Sequence, residues 1–168
     1  HKAGDVAMLT AADKIPLSEM RIRDRVSALV MARLDAAEDK ELVRRGSSLF
    51  ALPGNASEGA ALIWGTADAI WAALGDTSED GNWYSKRAVL SGVYGSTVLY
   101  WLGDDTPDHQ ATREFLDRRI ENVMQFEKAK AQAQKLPLVG GLISSVMSNI
   151  KAPGTATRDD LPGTINRT

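Results

Sequence analysis

The stretch "DGNWYSKRAVLSGVYGSTVLYWL", Asp80 to Leu102, decides the fold class of this chain. Asp80 or Asn82 can cap a helix that begins here, and Trp83 and Tyr84 fall in its first turn. The remainder is almost wholly apolar and interrupted by small residues, without the alternation that a strand requires. The stretch therefore predicts a long helix with large aromatic side chains at its start.

The predicted helix has two unequal faces, because residues three and four positions apart share a face. The small face comprises Ala88, Ser91, Gly92, Gly95 and Ser96, and the large face comprises Leu90, Val93, Tyr94, Thr97, Val98 and Trp101. A glycine inside a helix costs about 1 kcal/mol relative to alanine. The small face thus predicts either the close approach of another helix, as in a dimer, or space for a ligand.

Helical periodicity continues through the rest of the chain. The predicted helices are "PLSEMRIRDRVSALVMARLDAAE" capped by Ser18, "KELVRRGSSLFAL", "SEGAALIWGTADAIWAALG" capped by Ser57 and ended by Gly75, and "HQATREFLDRRIENVMQFEKAKAQAQK". Strand signals and internal repeats are missing from the sequence. We therefore predict an all-α fold.

Composition limits the classes of function. The 168 residues, 43% of them hydrophobic, suffice for one full core. The 20 basic and 22 acidic side chains give a formal net charge of -2, so no strong overall field favours nucleic acid. The sequence lacks cysteine, and its two histidines, His1 and His109, are too few for a histidine-rich metal site. No run of apolar residues in the sequence is long enough to span a bilayer as a helix.

Catalytic patterns are missing as well. Paired acids such as Asp104 and Asp105 lie in predicted turns, where capping explains them. No phosphate-binding loop, nucleophile elbow or metal-ligand spacing occurs in the sequence. The opening residues lack the apolar core of a signal peptide and look like a cut chain. We expect a protein that is not an enzyme and needs no metal.

A cavity between helices is one interpretation of the small face, with large aromatic side chains as its walls. The alternative is that the same side chains fill an ordinary core. The predicted lipid-binding residues are Met31, Leu34, Ile63, Trp64, Ala67, Ile70, Trp71, Leu90, Val93, Tyr94, Val98 and Trp101.

Trp83 and Tyr84 need a separate explanation. Adjacent helix positions point about 100° apart, so both side chains cannot face one core and at least one should be partly exposed. Aromatics with a polar group beside Lys86 and Arg87 suit a protein surface or a membrane interface. A hydrophobic staple that closes onto the preceding loop is the alternative.

The last helical pattern is "LPLVGGLISSVMSNIKAP", which predicts an amphipathic helix over residues 136–152. Such a helix can dock on its own domain, on a partner subunit or on lipid. Its apolar stripe, the predicted membrane contact, comprises Leu138, Val139, Leu142, Ile143, Val146, Met147 and Ile150. Residues 153–168 are rich in Gly, Pro and Thr and predict a flexible tail.

The motif "D-G-N-W-Y-S-K-R-A-V-L-S-G-V-Y", followed by "FLDRRIENVM", resembles the family of ubiquinone-biosynthesis accessory proteins usually called the ninth Coq protein. The likeness covers Ile22 to Lys135, and the N-W-Y-[ST]-[KR]-R cluster is its most specific part. The family binds lipid and has a fold like that of TetR regulators. The compact chain without a presequence fits a bacterial member.

This resemblance implies that residues 1–135 form a TetR-like C-terminal ligand-binding and dimerisation domain without its helix-turn-helix unit. It implies a homodimer that carries a lipid or isoprenoid quinone precursor, contacts the membrane surface through 138–150 and binds the di-iron demethoxyubiquinone hydroxylase. The partner surface would comprise Asp80, Trp83, Tyr84 and Arg87.

We expect no nucleic acid to bind this fragment, and no cofactor beyond the lipid. The expected location is cytoplasmic and peripheral to the inner membrane, on the matrix side in a eukaryote. A ligand-responsive transcriptional regulator of the TetR class, with a recognition helix in a missing N-terminal part, is the alternative.

Overall fold

The computed structural model describes residues 1–37 and 39–134, which are arranged as helices joined by short loops. The helices are α1 (Lys2–Ala12), α2 (Ile22–Asp35), α3 (Lys40–Phe50), α4 (Ala56–Ala73), α5 (Gly81–Leu102) and α6 (Gln110–Gln134), with single 3-10 turns at Leu17–Glu19 and Pro107–His109. This part of the chain contains no strand. The all-α prediction is confirmed.

The core forms where α2, α4, α5 and α6 meet. Leu29, Val30, Ile70 and Leu116 are fully buried there, and burying such a side chain contributes about 1.5–3 kcal/mol. The large face of α5 points into this core, with Leu90, Val93, Tyr94, Thr97 and Trp101 buried. On the small face Ala88 and Gly92 are exposed.

Helix α1 was not predicted from the sequence. His1 makes no side-chain capping bond to it, and its apolar residues do not form one stripe, since Val6 is 64% exposed whereas Met8 is buried. A partly buried ion pair ties it to the core instead: Arg33 Nε donates to Asp5 Oδ1 at 2.7 Å. The contact is nonlocal, so periodicity gives no sign of it.

Helix boundaries test the predicted caps. Asp80 caps α5, since its side chain accepts a bond from the Asn82 amide, and Gly75 ends α4 with a positive φ of 74°, which glycine adopts at no steric cost. The other two caps are wrong. Ser18 lies in a 3-10 turn before Arg21, which flanks α2, and Ser57 lies inside α4, one residue after its start at Ala56.

None of the helices within 1–37 and 39–134 is long and apolar enough to cross a bilayer. The predicted amphipathic helix at 136–152, with the membrane-contact residues named above, and the predicted tail at 153–168 lie outside the described residues.

Candidate functional site

A groove of about 280 Å³ lies between α2, α5 and α6, close to the C-terminal half of α4. Its walls are mainly aliphatic, and it is open to solvent on one side. Small-molecule sites in proteins are typically apolar concavities of about 300–1,000 Å³, so the volume of the groove is just below that range. It is lined by Ile22, Arg23, Val26, Trp71, Asn82, Ser85, Lys86, Val89, Leu90, Val93, Ile120, Val123, Met124, Glu127 and Lys130.

The groove has a polar end and an apolar end. Helices α5 and α6 are joined by a short turn and run antiparallel, with Tyr100 near the end of α5 stacked on Phe115 near the start of α6 at 4.4 Å. The start of α5 therefore faces the later part of α6. The polar lining groups Asn82, Ser85, Lys86, Glu127 and Lys130 collect at that end.

At the other end, aliphatic side chains from three helices close the groove. Val26 from α2, Val93 from α5 and Ile120 from α6 line it there. Helix α2 lies antiparallel to α6, as shown by the bonds from Arg23 to Glu121 and from Ser27 to Asp117. The first two turns of α2 thus cover the middle and the apolar end of the groove.

The predicted lipid-binding residues do not all meet at this groove. Trp71, Leu90 and Val93 line it. Ile63 and Val98 are partly buried against the core, and Trp64 belongs to the aromatic cluster described below. The fully packed core holds Met31, Leu34, Ala67, Ile70, Tyr94 and Trp101. Contact of these residues with lipid stays a prediction.

Sequence reasoning missed the walls that α2 and α6 provide. Ile120, Val123 and Met124 line the groove from α6, and Ile22 and Val26 line it from α2. Both sets lie on apolar stripes visible in the sequence. The stripes alone do not reveal which of their residues meet another helix and which border a gap, because that depends on how the helices cross.

An aromatic cluster lies beside the polar end of the groove. Trp83 and Tyr84 from α5 are half-buried and meet edge to face at 4.8 Å. The Trp64 ring from α4 lies 6.0 Å from Trp83 and 6.4 Å from Tyr84. The expectation of partial exposure is confirmed, and the contact with α4 adds a packing role. Binding of a partner by Asp80, Trp83 and Tyr84 stays a prediction.

Arg87, the fourth predicted partner-binding residue, is buried instead of displayed at the surface. Its Nε donates to Asp68 Oδ1 at 2.6 Å and its Nη1 donates to Asp76 Oδ2 at 3.0 Å. The guanidinium also lies 4.0 Å from the centre of the Trp83 ring, within the range of a cation–π interaction. Arg87 therefore supports the cluster from below, because two carboxylates hold it inward.

Asp76 links the groove to the aromatic cluster. Its side chain is 3% exposed, and Lys86 Nζ donates to its Oδ1 at 2.7 Å while Arg87 binds its Oδ2. Burial alone raises the pKa of this carboxyl, but hydrogen bonds from Lys86, Ser78 and Arg87 outweigh burial and lower the pKa to about 2. One ionised carboxylate thus holds a groove-lining cation and the cation that supports Trp83.

Lys86 is held from several sides. Besides Asp76, its Nζ donates to Ser78 Oγ at 2.7 Å and lies 5.3 Å from the centre of the Trp71 ring. Trp71 Nε1 in turn donates to the Lys86 carbonyl at 3.1 Å. Among residues 1–37 and 39–134, no group of three or more acidic, histidine or cysteine side chains is placed to hold a metal ion.

Comparison with known proteins gives consistent results. The family model described as COQ9 matches residues 56–127, from α4 into α6. The rat protein named "Ubiquinone biosynthesis protein COQ9, mitochondrial" is 36% identical over 106 residues, which is 62% of this chain and 34% of that protein. The Xenopus laevis protein COQ9-B is 31% identical over 132 residues, 79% of this chain and 44% of that protein. The chain thus spans less than half the length of these relatives.

A solved TetR transcriptional regulator from Nitrosomonas europaea has a similar fold. Its TM-score is 0.58 at 20% sequence identity, over 71% of this chain and 66% of that chain. This likeness shows a TetR-like helical fold. The family is shown by the matched region at 56–127 and by the relatives over a longer span: this chain belongs to the COQ9 family.

Proposed function

We propose that this chain is a lipid-binding accessory protein of ubiquinone biosynthesis that performs no catalysis itself. It holds an isoprenoid quinone precursor in the groove between α2, α5 and α6 and presents it to the di-iron demethoxyubiquinone hydroxylase. The observation that carries the proposal is the groove itself, an aliphatic trough of about 280 Å³ with polar side chains at one end. The names of the relatives supply the pathway.

The groove suits part of a long apolar ligand. Burial of apolar surface contributes about 25 cal/mol per Å², so an isoprenoid chain gains affinity without a charged anchor. A volume of about 280 Å³ encloses a portion of such a chain. The open side leaves the remainder in contact with a membrane or a partner, as a protein that transfers its ligand requires.

The aromatic cluster is the proposed contact for the hydroxylase. Interface hot spots are enriched in tryptophan, tyrosine and arginine, and Trp83 and Tyr84 are half-buried on a helix start. Arg87 fixes Trp83 from beneath at 4.0 Å. A rigid aromatic surface loses little conformational entropy on binding, which favours this face for the partner.

We also propose that the chain is a homodimer at the membrane periphery, on the matrix side in mitochondria. Beside the small face of α5, Leu99 is 67% exposed and Tyr100 is 40% exposed, and Phe126 on α6 is 65% exposed. Large exposed apolar side chains beside a small-residue face favour pairing of α5 and α6 across a dimer.

The lipid-binding part is tested by filling the groove. Val123 is half-buried in its wall, so Val123→Phe should abolish the calorimetric binding of a short-chain ubiquinone. The matched control is Val6→Phe, because Val6 is 64% exposed on α1 and far from the groove; its affinity should equal that of the wild type. Equal binding by both variants would refute the groove as the site.

The presentation part needs its own experiment. Trp83→Ala and Tyr84→Ala should each weaken capture of the purified hydroxylase while short-chain ubiquinone still binds. Capture that is unchanged in both variants would contradict the partner surface. Binding of a longer chain to duplex DNA with a steep salt dependence would favour the regulator alternative instead.

A further inference from the structure

We propose that the groove binds its ligand in a single orientation, with an oxygen-bearing head beside Lys86 and an isoprenoid tail toward Val93 and Ile120. The inference rests on the proposed function and specifies the ligand as an amphiphile whose head accepts hydrogen bonds, such as a quinone or a phenol. Lys86 is then the residue that determines head-group specificity.

Polar side chains are unevenly distributed along the groove. Asn82, Ser85 and Lys86 line it from the first two turns of α5, and Glu127 and Lys130 face them from α6. Beyond these residues the lining from α5 and α6 is aliphatic. An amphiphile gains most when its apolar part lies against aliphatic walls and its oxygens stay near donors, because an unpaired buried polar group costs about 1–3 kcal/mol.

The donor capacity of Lys86 favours a ligand that accepts hydrogen bonds. A lysine ammonium carries three donors and no acceptor. Two of those donors are directed to Asp76 Oδ1 and Ser78 Oγ, each at 2.7 Å. The remaining N–H has no partner among the described residues. Since Lys86 also lines the groove, this N–H is available to a ligand oxygen and selects an acceptor over a donor.

The Lys86 ammonium is held in place before a ligand binds. Asp76 fixes the ammonium, and the ring of Trp71 lies 5.3 Å from it. Donors fixed before a ligand arrives lose little rotamer entropy on binding. The other cations of the lining pair with half-exposed glutamates, whereas Lys86 pairs with a buried carboxylate: Lys130 pairs with Glu127 at 3.7 Å and Arg23 pairs with Glu121 at 3.2 Å.

The orientation has a consequence for presentation. Arg87 follows Lys86 in the chain, and both bind the same Asp76 carboxylate. Arg87 lies under Trp83 at 4.0 Å. A head group at Lys86 is therefore next to the aromatic cluster, while the tail remains in the groove. The reactive end of the ligand would meet a partner seated on Trp83 and Tyr84.

The test compares two ligands that share a tail. One is a benzoquinone with a farnesyl tail, and the other is farnesene, the hydrocarbon without an oxygen-bearing head. Lys86→Met keeps the aliphatic stem and removes the donors. It should weaken quinone binding about tenfold, the effect of one charge-assisted hydrogen bond, and leave farnesene binding unchanged. Lys128→Met, which changes an exposed lysine on the same part of α6 outside the groove lining, should change neither affinity.

Folding is controlled with two further variants. Lys86→Arg keeps donors at the position and should retain the preference for the quinone. If Lys86→Met alone is unfolded in circular dichroism, the double variant Lys86→Met with Asp76→Asn removes the unpaired carboxylate as well. This double variant should show the same loss of head-group preference.

The outcomes separate the two proposals. If both ligands bind the wild type and Lys86→Met changes them equally, or changes neither, the orientation is wrong while the groove function stands. If neither ligand binds the wild type, the proposed function fails, and the orientation fails with it. A photoreactive group on the farnesyl end should label α6 near Ile120, and labelling near Asn82 would reverse the orientation.

Discussion

Two buried carboxylates flank α5, and different sets of donors hold them. Asp76, before the helix, is 3% exposed and is bound by the cations of Lys86 and Arg87. Asp104, after the helix, is 1% exposed and accepts bonds from the hydroxyl and amide groups of Thr106 and Thr112. Burial raises the pKa of each carboxyl, but the hydrogen bonds outweigh it and lower both pKa values.

The difference separates a structural turn from a site. The groups that donate hydrogen bonds to the Asp104 carboxylate all come from its own turn and the start of α6. This carboxylate therefore fixes the chain reversal between α5 and α6. Asp76 instead joins residues with other contacts: Lys86 lines the groove and Arg87 supports Trp83. Altering Asp104 should therefore change stability alone, whereas altering Asp76 should change stability and binding together.

The largest expected effect is at Arg87. Arg87→Met removes a buried cation between Asp68 and Asp76, and breaking a buried pair typically costs about 3–5 kcal/mol. Urea denaturation should show a loss near the lower bound, because Lys86 still binds Asp76. The matched control is Arg45→Met, whose side chain is 77% exposed and whose pair is worth about 0.3–0.5 kcal/mol. A similar small loss in both variants would contradict the inward role of Arg87.

The next largest effect is expected when either carboxylate is replaced by an amide. Asp104→Asn and Asp76→Asn should each lower the free energy of unfolding by about 2 kcal/mol, because each weakens several buried hydrogen bonds. Affinity for short-chain ubiquinone should fall in Asp76→Asn and stay unchanged in Asp104→Asn. If only Asp104→Asn lost affinity for ubiquinone, the assignment of Asp76 to the site and of Asp104 to a structural turn would be wrong.

Lowering the pH should reveal how much the Asp76 carboxylate contributes to the free energy of unfolding. Its pKa is about 2 in the folded chain and about 3.9 when unfolded. Because the folded pKa is the lower one, the carboxylate stabilises the fold above pH 4, and that stabilisation is lost as the pH falls toward 2. The loss is about 2 kcal/mol. Denaturation at pH 5 and pH 2.5 should show a smaller drop for Asp76→Asn than for wild type, and equal drops would contradict the assignment.

The smallest expected change in stability is at the glycines in the middle of α5, which are not beside either of the two carboxylates. A Cβ at Gly92 would meet no described atom within 4 Å, and one at Gly95 would meet Ile63 Cδ1 at 3.5 Å. Gly92→Ala should therefore stabilise an isolated chain by about 1 kcal/mol, whereas Gly95→Ala also gains an ordinary contact. If Gly92→Ala destabilises, and does so more at higher protein concentration, a second chain packs on that face, as the homodimer proposal expects.

Local signals made much of the fold predictable. The Asp80 cap, the Gly75 stop and the two unequal faces of α5 follow from residues close in sequence. Ser18 and Ser57 have the side-chain hydroxyl that a helix cap needs, yet neither residue lies at the start of an α-helix. Periodicity identifies a cap candidate without fixing which candidate the surrounding packing selects.

The candidate site was less predictable because it depends on nonlocal pairing. Arg87 looked like a surface cation beside two aromatics until Asp68 and Asp76, 19 and 11 residues away, were found to bind it. The groove likewise depends on the crossing of α2 with α6. Trp71, Leu90 and Val93 were foreseen because α4 and α5 carry the clearest stripes.

Native mass spectrometry of the purified protein, with organic extraction of what accompanies it, would show directly whether the groove holds lipid. Wild type should carry isoprenoid quinone precursors, and Val123→Phe, with its groove filled, should carry none. Wild type and Val123→Phe with the same lipid load, or with none in either, would contradict the groove as the lipid site.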